Sequence, residues 1–158
     1  MSESLPRLRT VADYQFGAGA GAALFPTDRE PRVERSSSGR PRQVLAEDGR
    51  VATYVVDGRF TLGLAGGRRL QAALPAPACR VVVGDESEPF VREGKNVFAK
   101  FVSTVDPQIR PGDEVLVEHE DGALLAVGRA ELPGPAMADF DTGMAVKVRE
   151  SDDDDTRN

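Results

Sequence analysis

The sequence predicts an α+β chain: a small N-terminal α/β domain with an antiparallel meander, followed by a small closed or half-closed β pseudo-barrel. Three observations predict it. Short apolar runs are punctuated by Asp48-Gly49, Asp57-Gly58 and Asp121-Gly122, and Asp and Gly tolerate the positive φ angles that two-residue hairpin turns demand. These runs do not alternate with helical patterns, as a parallel βα sheet would require. The Pro75-Ala76-Pro77 stretch then marks a boundary between two compositions. The expected division is residues 1–76, residues 77–150 and an acidic, disordered tail at 151–158.

In chain order, Thr10 is a candidate cap for a helix passing through Val11, Tyr14 and Gln15, which Gly17, Gly19 and Gly21 then loosen. A phosphate-loop reading of those glycines lacks both the following Lys-Ser/Thr and the preceding strand. Close packing of a helix on its neighbour explains small residues there more simply. From Arg32 to Leu64 the pattern is one of short strands, with Val51–Val56 and Arg59–Leu64 flanking Asp57-Gly58. Gly66-Gly67 is expected to end the meander, and Arg68–Ala73 to form a short helix.

The second half opens on Arg80–Val83, an apolar-rich strand. Asp85 stands three residues before Glu88, a capping-box spacing that predicts a helix to about Glu93, stopped by Gly94. A strand region from Asn96 to Thr104 follows, carrying one Lys100 among apolar residues, and Pro111-Gly112 makes a turn. Glu114–His119 and Ala123–Glu131 form a hairpin across Asp121-Gly122. A short helix through Met137–Phe140, ended by Gly143, leads into a last strand, Met144–Arg149.

Charge and composition limit the function classes. The 158 residues carry a net charge of −6, split between 11 Arg against 8 acids up to Pro75 and 9 bases against 18 acids beyond it. A net acidic protein is ordinarily a poor nucleic-acid binder. However, 17 of the basic residues are Arg and only 3 are Lys, aromatic content is 6%, and acids are abundant, as in the proteome of a salt-accumulating archaeon. In such proteins net charge is a solubility device and local clusters decide binding. At about 1 M salt the Debye length is about 3 Å, so contacts rest on close hydrogen bonds and packing.

The single Cys79 excludes an internal disulfide and a cysteine-based zinc site. No apolar run reaches membrane-span length, and Met1–Arg9 lacks a signal-peptide core, so a cytoplasmic protein without a membrane partner is expected. Catalysis has little to use. His119, the only histidine, is expected to be a half-exposed strand residue between Glu118 and Glu120, and no activated-nucleophile motif surrounds Ser103 or Cys79. Metal ligands lack helical or CxxC-type spacing. The expectation is a non-enzyme with no catalytic residues, no cofactor and no metal.

Three clusters could hold RNA. Ser36–Arg42 places small hydroxyls and Gly39 beside Arg40 and Arg42; it suits phosphates, or is simply a surface loop before a strand. Arg92, Gly94, Lys95 and Asn96 surround a helix end where glycine permits close approach, although its role as a helix stop also explains it. Lys147 and Arg149 share one face of the last strand and form a positive stripe if that strand neighbours Lys100. Arg110 and Arg129 either flank this stripe or pair with Asp113 and Glu131.

The stretches RVVVGDESEPFVREGKNVFAKFV (Arg80–Val102), RPGDEVLVEHEDGALLAVGRAEL (Arg110–Leu132) and GMAVKVRE (Gly143–Glu150) resemble a PUA domain, a pseudo-barrel module of tRNA- and rRNA-modifying enzymes. Upstream, ADYQFGAGAGAALFP (Ala12–Pro26), SGRPRQV (Ser38–Val44) and DGRFTLGLAGGRRL (Asp57–Leu70) resemble the domain preceding the PUA module in archaeal tRNA-guanine transglycosylases. Those enzymes exchange a guanine in the tRNA D-arm on the way to archaeosine. Their catalytic barrel, with its aspartates and zinc ligands, has no counterpart in these motifs. The resemblance therefore implies a PUA-like fold and an RNA-binding accessory protein or subunit, gripping the tRNA acceptor stem and 3′ end. The implied partner is tRNA, the chain being either a subunit beside a separate catalytic one or a free-standing adaptor. Carried over by position, the implied RNA contacts are Arg92, Gly94, Lys95, Asn96, Phe98, Lys100, Lys147 and Arg149. The competing expectation is a protein-interaction module that has lost RNA binding.

Overall fold

The computed structural model describes residues 4–29, 31–39, 41–55 and 58–153, and the chain forms two compact units, Met1–Leu74 and Pro75–Asn158. The fold class is the mixed α and β one that the sequence predicts.

The first unit begins with α1 (Ser4–Phe16) and α2 (Ala20–Leu24). Helix α1 starts well before the expected cap, because Pro6 falls in its first turn, where a proline is tolerated. Thr10 is mid-helix and its hydroxyl donates to the Pro6 carbonyl at 3.1 Å. Leu5, Leu8, Ala12 and Phe16, spaced three or four apart, bury one face. Gly21 lets α2 close on α1, since a Cβ there would strike the Arg9 carbonyl.

Strands β1 (Arg32–Arg35), β2 (Pro41–Ala46), β3 (Gly49–Tyr54) and β4 (Phe60–Leu62) pair in sequential antiparallel order. Glu47 and Asp48 connect β2 to β3, with Gly49 at φ +124°. Helix α3 (Leu64–Ala73) follows at once, so Gly66-Gly67 lies within a helix rather than ending the meander. The glycines are there for contact: a Cβ at Gly66 would collide with the Val51 carbonyl of β3. Gln15 joins α1 to the sheet edge, donating to the Phe60 carbonyl and accepting from its N–H, both at 2.8 Å.

The second unit contains β5 (Arg80–Val83), α4 (Glu88–Arg92), β6 (Val97–Phe98), a 3₁₀ turn (Ala99–Phe101), β7 (Val102–Val105), β8 (Glu114–His119), β9 (Leu124–Ala130), α5 (Gly134–Asp139) and β10 (Met144–Ser151). The expected strand through Asn96–Thr104 is therefore two strands split by a tight turn. Sheet order is β6-β10-β9-β8-β5-β7, with only β5 and β8 parallel. If flat, the outer strands would stand about 24 Å apart, at about 4.8 Å per spacing. Yet β6 and β7 are separated in sequence by only Ala99–Phe101. The sheet must therefore curl into a nearly closed barrel, around a core of Val81, Val83, Val97, Val115, Leu125 and Val146.

Parallel pairing sets Val83 opposite His119, so the loop leaving β5 meets the end of β8. Asp85 uses its carboxylate there instead of capping α4: it lies 2.6 Å from His119 Nε2, and Ser87 stands at the helix start. His119 is buried to 9% exposure, not half-exposed, with Asp85, Glu88 and Asp121 close around its ring. The Asp121 N–H donates to Nδ1 at 3.0 Å. The Asp85 hydrogen bond foremost, then Asp121 and the charge of Glu88, raise the His119 pKa above the ordinary imidazole value, against the opposing effect of burial.

Two outcomes are expected. Gly66→Ala should destabilise the first unit by roughly 1–3 kcal/mol in urea unfolding. An unobstructed helix would instead gain about 1 kcal/mol from alanine. His119 binds its proton more tightly folded than unfolded. Its contribution should be complete below about pH 6.5 and lost as pH rises through the folded pKa. Melting temperature from pH 6 to 9, with EDTA present, should fall through that window and fall less in Asp85→Asn.

Candidate functional site

Strand β10 is central to the candidate surface. It pairs on one side with the edge strand β6, Val146 opposite Val97 and Met144 opposite Phe98. On the other side Lys147 opposes Arg129 and Val148 opposes Gly128, after which the register slips and Glu150 opposes Val127. Arg149 is the extra residue of that bulge. A bulge leaves backbone groups without ladder partners. Here the Val148 N–H donates to Asn96 Oδ1 at 2.9 Å, which ties the segment before β6 to β10.

Directly opposed residues share a sheet face, so Lys147, Arg129 and Glu114 form one row across β10, β9 and β8. Arg129 turns to Glu131, with Nε to Oε2 at 2.9 Å. Arg149 forks onto Glu114, Nη1 to Oε1 at 2.5 Å and Nη2 to Oε2 at 2.8 Å. The Glu114 side chain is only 4% exposed, so this bidentate pair neutralises a buried carboxylate. Arg92 is likewise engaged: its Nε lies 3.0 Å from Glu88 Oε2 and its Nη1 donates to the Asp152 carbonyl at 3.0 Å.

Lys95, Lys100 and Lys147 differ. All three are exposed, and among the described residues none makes an ion pair. Lys100 Nζ lies 5.1 Å from the Phe101 ring centroid. Gly94, at φ +94°, reverses the chain after α4 and presents Lys95, whose N–H donates to the Phe90 carbonyl at 3.0 Å. Phe98, an aromatic in an apolar strand, is 45% exposed. The structure thus brings Lys95, Asn96, Phe98, Lys100 and Lys147 onto the β6–β10 edge. Arg92 and Arg149 are bound to carboxylates beside it.

In the first unit Arg42 is an exposed residue of β2, while Arg40 lies outside the described residues. The Ser36–Gly39 turn is closed on itself: Gly39 N–H donates to the Ser36 carbonyl at 2.9 Å, the Ser36 and Ser38 hydroxyls are 2.9 Å apart, and Arg35 holds the Gly39 carbonyl at 3.0 Å. Arg110 presents its backbone to Asp113, whose Oδ2 accepts from the Arg110 N–H at 2.9 Å.

Sequence reasoning missed two features. Phe90 and Phe140 are 55% and 50% exposed, which no local pattern signalled. Asp85, Glu88 and His119 place one donor atom each within 4.8 Å of one another, across a sequence gap that no motif spans. Cys79 offers no activated nucleophile: burial first, then the charge of Asp106, push its thiol up to about 11. A cleft of about 560 Å³ in the first unit has no histidine, cysteine or serine among its described lining residues, and Arg69 in its wall is paired with Asp48.

Residues 6–77 match the patch-forming domain C2 of tRNA-guanine transglycosylase, and residues 79–151 match the PUA domain. Over 143 residues, 90% of the chain, the sequence is 50% identical to the tRNA-guanine(15) transglycosylase of Pyrococcus furiosus. The chain spans 24% of that relative's length, about a quarter. The fold is similar to that of a hypothetical protein from the hyperthermophilic archaeon Pyrococcus horikoshii OT3, with TM-score 0.75, 23% identity, 96% of this chain covered and 91% of that one. It is also similar to a conserved PUA domain protein from Thermoplasma acidophilum, with TM-score 0.61, 20% identity, 95% of this chain covered and 89% of that one. The two halves of the chain therefore belong to the tRNA-guanine transglycosylase C2 and PUA domain families, and together they resemble the C-terminal region of the archaeal enzymes.

Proposed function

We propose that the chain binds RNA through the β6–β10 edge of its PUA domain, as the RNA-gripping part of a tRNA-modification system, with the acceptor stem and 3′ end as its target. One observation carries this reading. All three lysines of a chain whose other 17 basic residues are arginine fall on this one edge, exposed and without ion pairs among the described residues. Lysine is a compact, strongly hydrated point charge suited to phosphates. The exposed ring of Phe98 between Lys95 and Lys100 adds a surface on which an unpaired base can stack. Arg92, Asn96 and Arg149 act as positioning residues, each tied to a carboxylate or a backbone N–H that shapes the edge.

The chain supplies no chemistry of its own in this reading; a separate catalytic subunit does so. The relative from Pyrococcus furiosus is itself named as an enzyme, and the matched domains are the ones this reading treats as non-catalytic. The salt-adapted composition fits binding that relies on direct hydrogen bonds and stacking more than on long-range attraction. Exposed Phe90 and Phe140 support a second reading, a protein-docking module that no longer binds RNA.

Binding of the purified chain to a tRNA transcript, with and without its 3′ end, across a salt series separates the two. Saturable binding should weaken on removal of the 3′ end. Lys147→Ala should lower affinity and reduce the salt slope by about one, with the melting temperature unchanged. Arg149→Ala should instead reduce folding stability by roughly 1.5–3 kcal/mol, because Glu114 is left buried without its fork. Absence of saturable binding at every salt concentration where the chain is folded rejects the RNA reading and leaves the docking module.

A further inference from the structure

We infer that Asp85, Glu88 and His119 form a binding site for a divalent transition-metal ion of the zinc type, independent of the RNA reading. The site is assembled by topology. Parallel strands β5 and β8 end side by side, Val83 opposite His119. The chain leaving β5 carries Asp85 and then Glu88 at the start of α4, while the chain leaving β8 carries Asp121. The two segments, over thirty positions apart, are thereby brought together at one end of the barrel sheet.

The donor set suits the ion. One imidazole and two carboxylates converge, with donor atoms all within 4.8 Å of each other. His119 Nε2 lies 2.6 Å from Asp85 Oδ1 and 3.8 Å from Glu88 Oε1. Zinc bonds to nitrogen and oxygen run about 2.0–2.2 Å, so tetrahedral donors stand about 3.3 Å apart. The three atoms bracket that spacing. The Asp85 side chain is 93% exposed and can swing outward, and Glu88 Oε2 is held by Arg92 at 3.0 Å, which leaves Oε1 for the ion. Imidazole selects zinc, cobalt or nickel over magnesium or calcium. Three protein ligands leave a fourth position for water.

The surroundings support the same conclusion. His119 Nδ1 lies 3.1 Å from Asp121 Oδ1, so an outer carboxylate stands behind the ring, the arrangement that orients a metal-bound imidazole. A Cβ at Gly84 would lie 3.2 Å from Glu120 Oε2, so a further carboxylate folds against the residue preceding Asp85. Asp85, Glu88, Glu120 and Asp121 thus face one region in which Arg92 is the cation bound to Glu88. On binding, the ion takes the place of the proton shared by Nε2 and Asp85. That proton moves to Nδ1, where Asp121 Oδ1 at 3.1 Å accepts its hydrogen bond in place of the backbone N–H contact.

The test is titration of the full, EDTA-stripped chain with Zn²⁺ by calorimetry and with Co²⁺ by visible absorption. One equivalent should bind, and the Co²⁺ spectrum should show the intense bands of a four-coordinate N/O site. His119→Gln and the Asp85→Asn/Glu88→Gln pair should each weaken binding by tenfold or more, and Asp121→Asn by about tenfold. Asp85 is exposed, so Asp85→Asn keeps the fold, which far-UV circular dichroism verifies. No saturable one-to-one binding overturns the site. So does unchanged affinity in His119→Gln and in the carboxylate pair, or loss of binding only when Asp152–Asp155 are replaced by asparagine.

Discussion

The second unit depends on one constraint of length. Its two outermost strands, β6 and β7, are consecutive in the chain and separated by Ala99–Phe101 alone. Three residues cannot bridge the width of a flat six-stranded sheet, so the sheet must coil until its edges come close. Coiling turns Val81, Val83, Val115, Leu125 and Val146 inward and creates the core. It also keeps β6 short. A two-residue edge strand resists pairing with another chain, yet it presents Phe98 and its flanking lysines outward. Helix α4 packs against β9 and β10, and its first residue, Glu88, reaches His119 at the end of β8.

Charge in this unit is sorted by burial. Among the described residues, two of the three buried acids have arginine partners, Glu114 with Arg149 and Glu118 with Arg80 at 2.9 Å, while Asp106 accepts from the Cys79 and Gln108 N–H groups. Arginine suits this work because its planar fork meets both carboxylate oxygens at once. The lysines are not used in this way. They stand exposed, Lys95 and Lys100 on either side of β6 and Lys147 on β10, and Asn96 ties the segment before β6 to Val148 of β10. A count of positive residues along β10 therefore overstates the charge presented to a partner, since Arg149 is already half of an ion pair.

The first unit is governed by close approach rather than charge. Gly21 and Gly66 sit where helices press on a neighbouring backbone, and Gln15 supplies both hydrogen bonds that the edge residue Phe60 would otherwise lack. Of the three glycines that resemble a phosphate loop in sequence, Gly21 is a contact point between elements, while Gly17 and Gly19, at φ +115° and +94°, turn the chain between α1 and α2. The distinction is physical. A phosphate loop aims backbone N–H groups outward, whereas here the Gly21 N–H donates to Asp13 Oδ1 at 2.7 Å.

The sequence by itself determined most of the strands, most of the turns and the two domain families. Asp-Gly and Pro-Gly pairs, short apolar runs and the motif order are properties of neighbouring residues, and local backbone preference acts over the same range. It could not determine helix α1's true start, since a proline reads as a stop until its place in the first turn is known. Nor could it place Gly66 inside a helix, because the reason for that glycine is a carbonyl on another strand. Only the tertiary structure decided which candidate cations are spent, that Phe98 faces outward and that His119 is buried among carboxylates. Arg149 finds Glu114 across 35 residues of sequence and His119 finds Asp85 across 34. Ion pairs and donor clusters depend on distances of a few ångströms between remote positions, and those distances exist only once the sheet has closed.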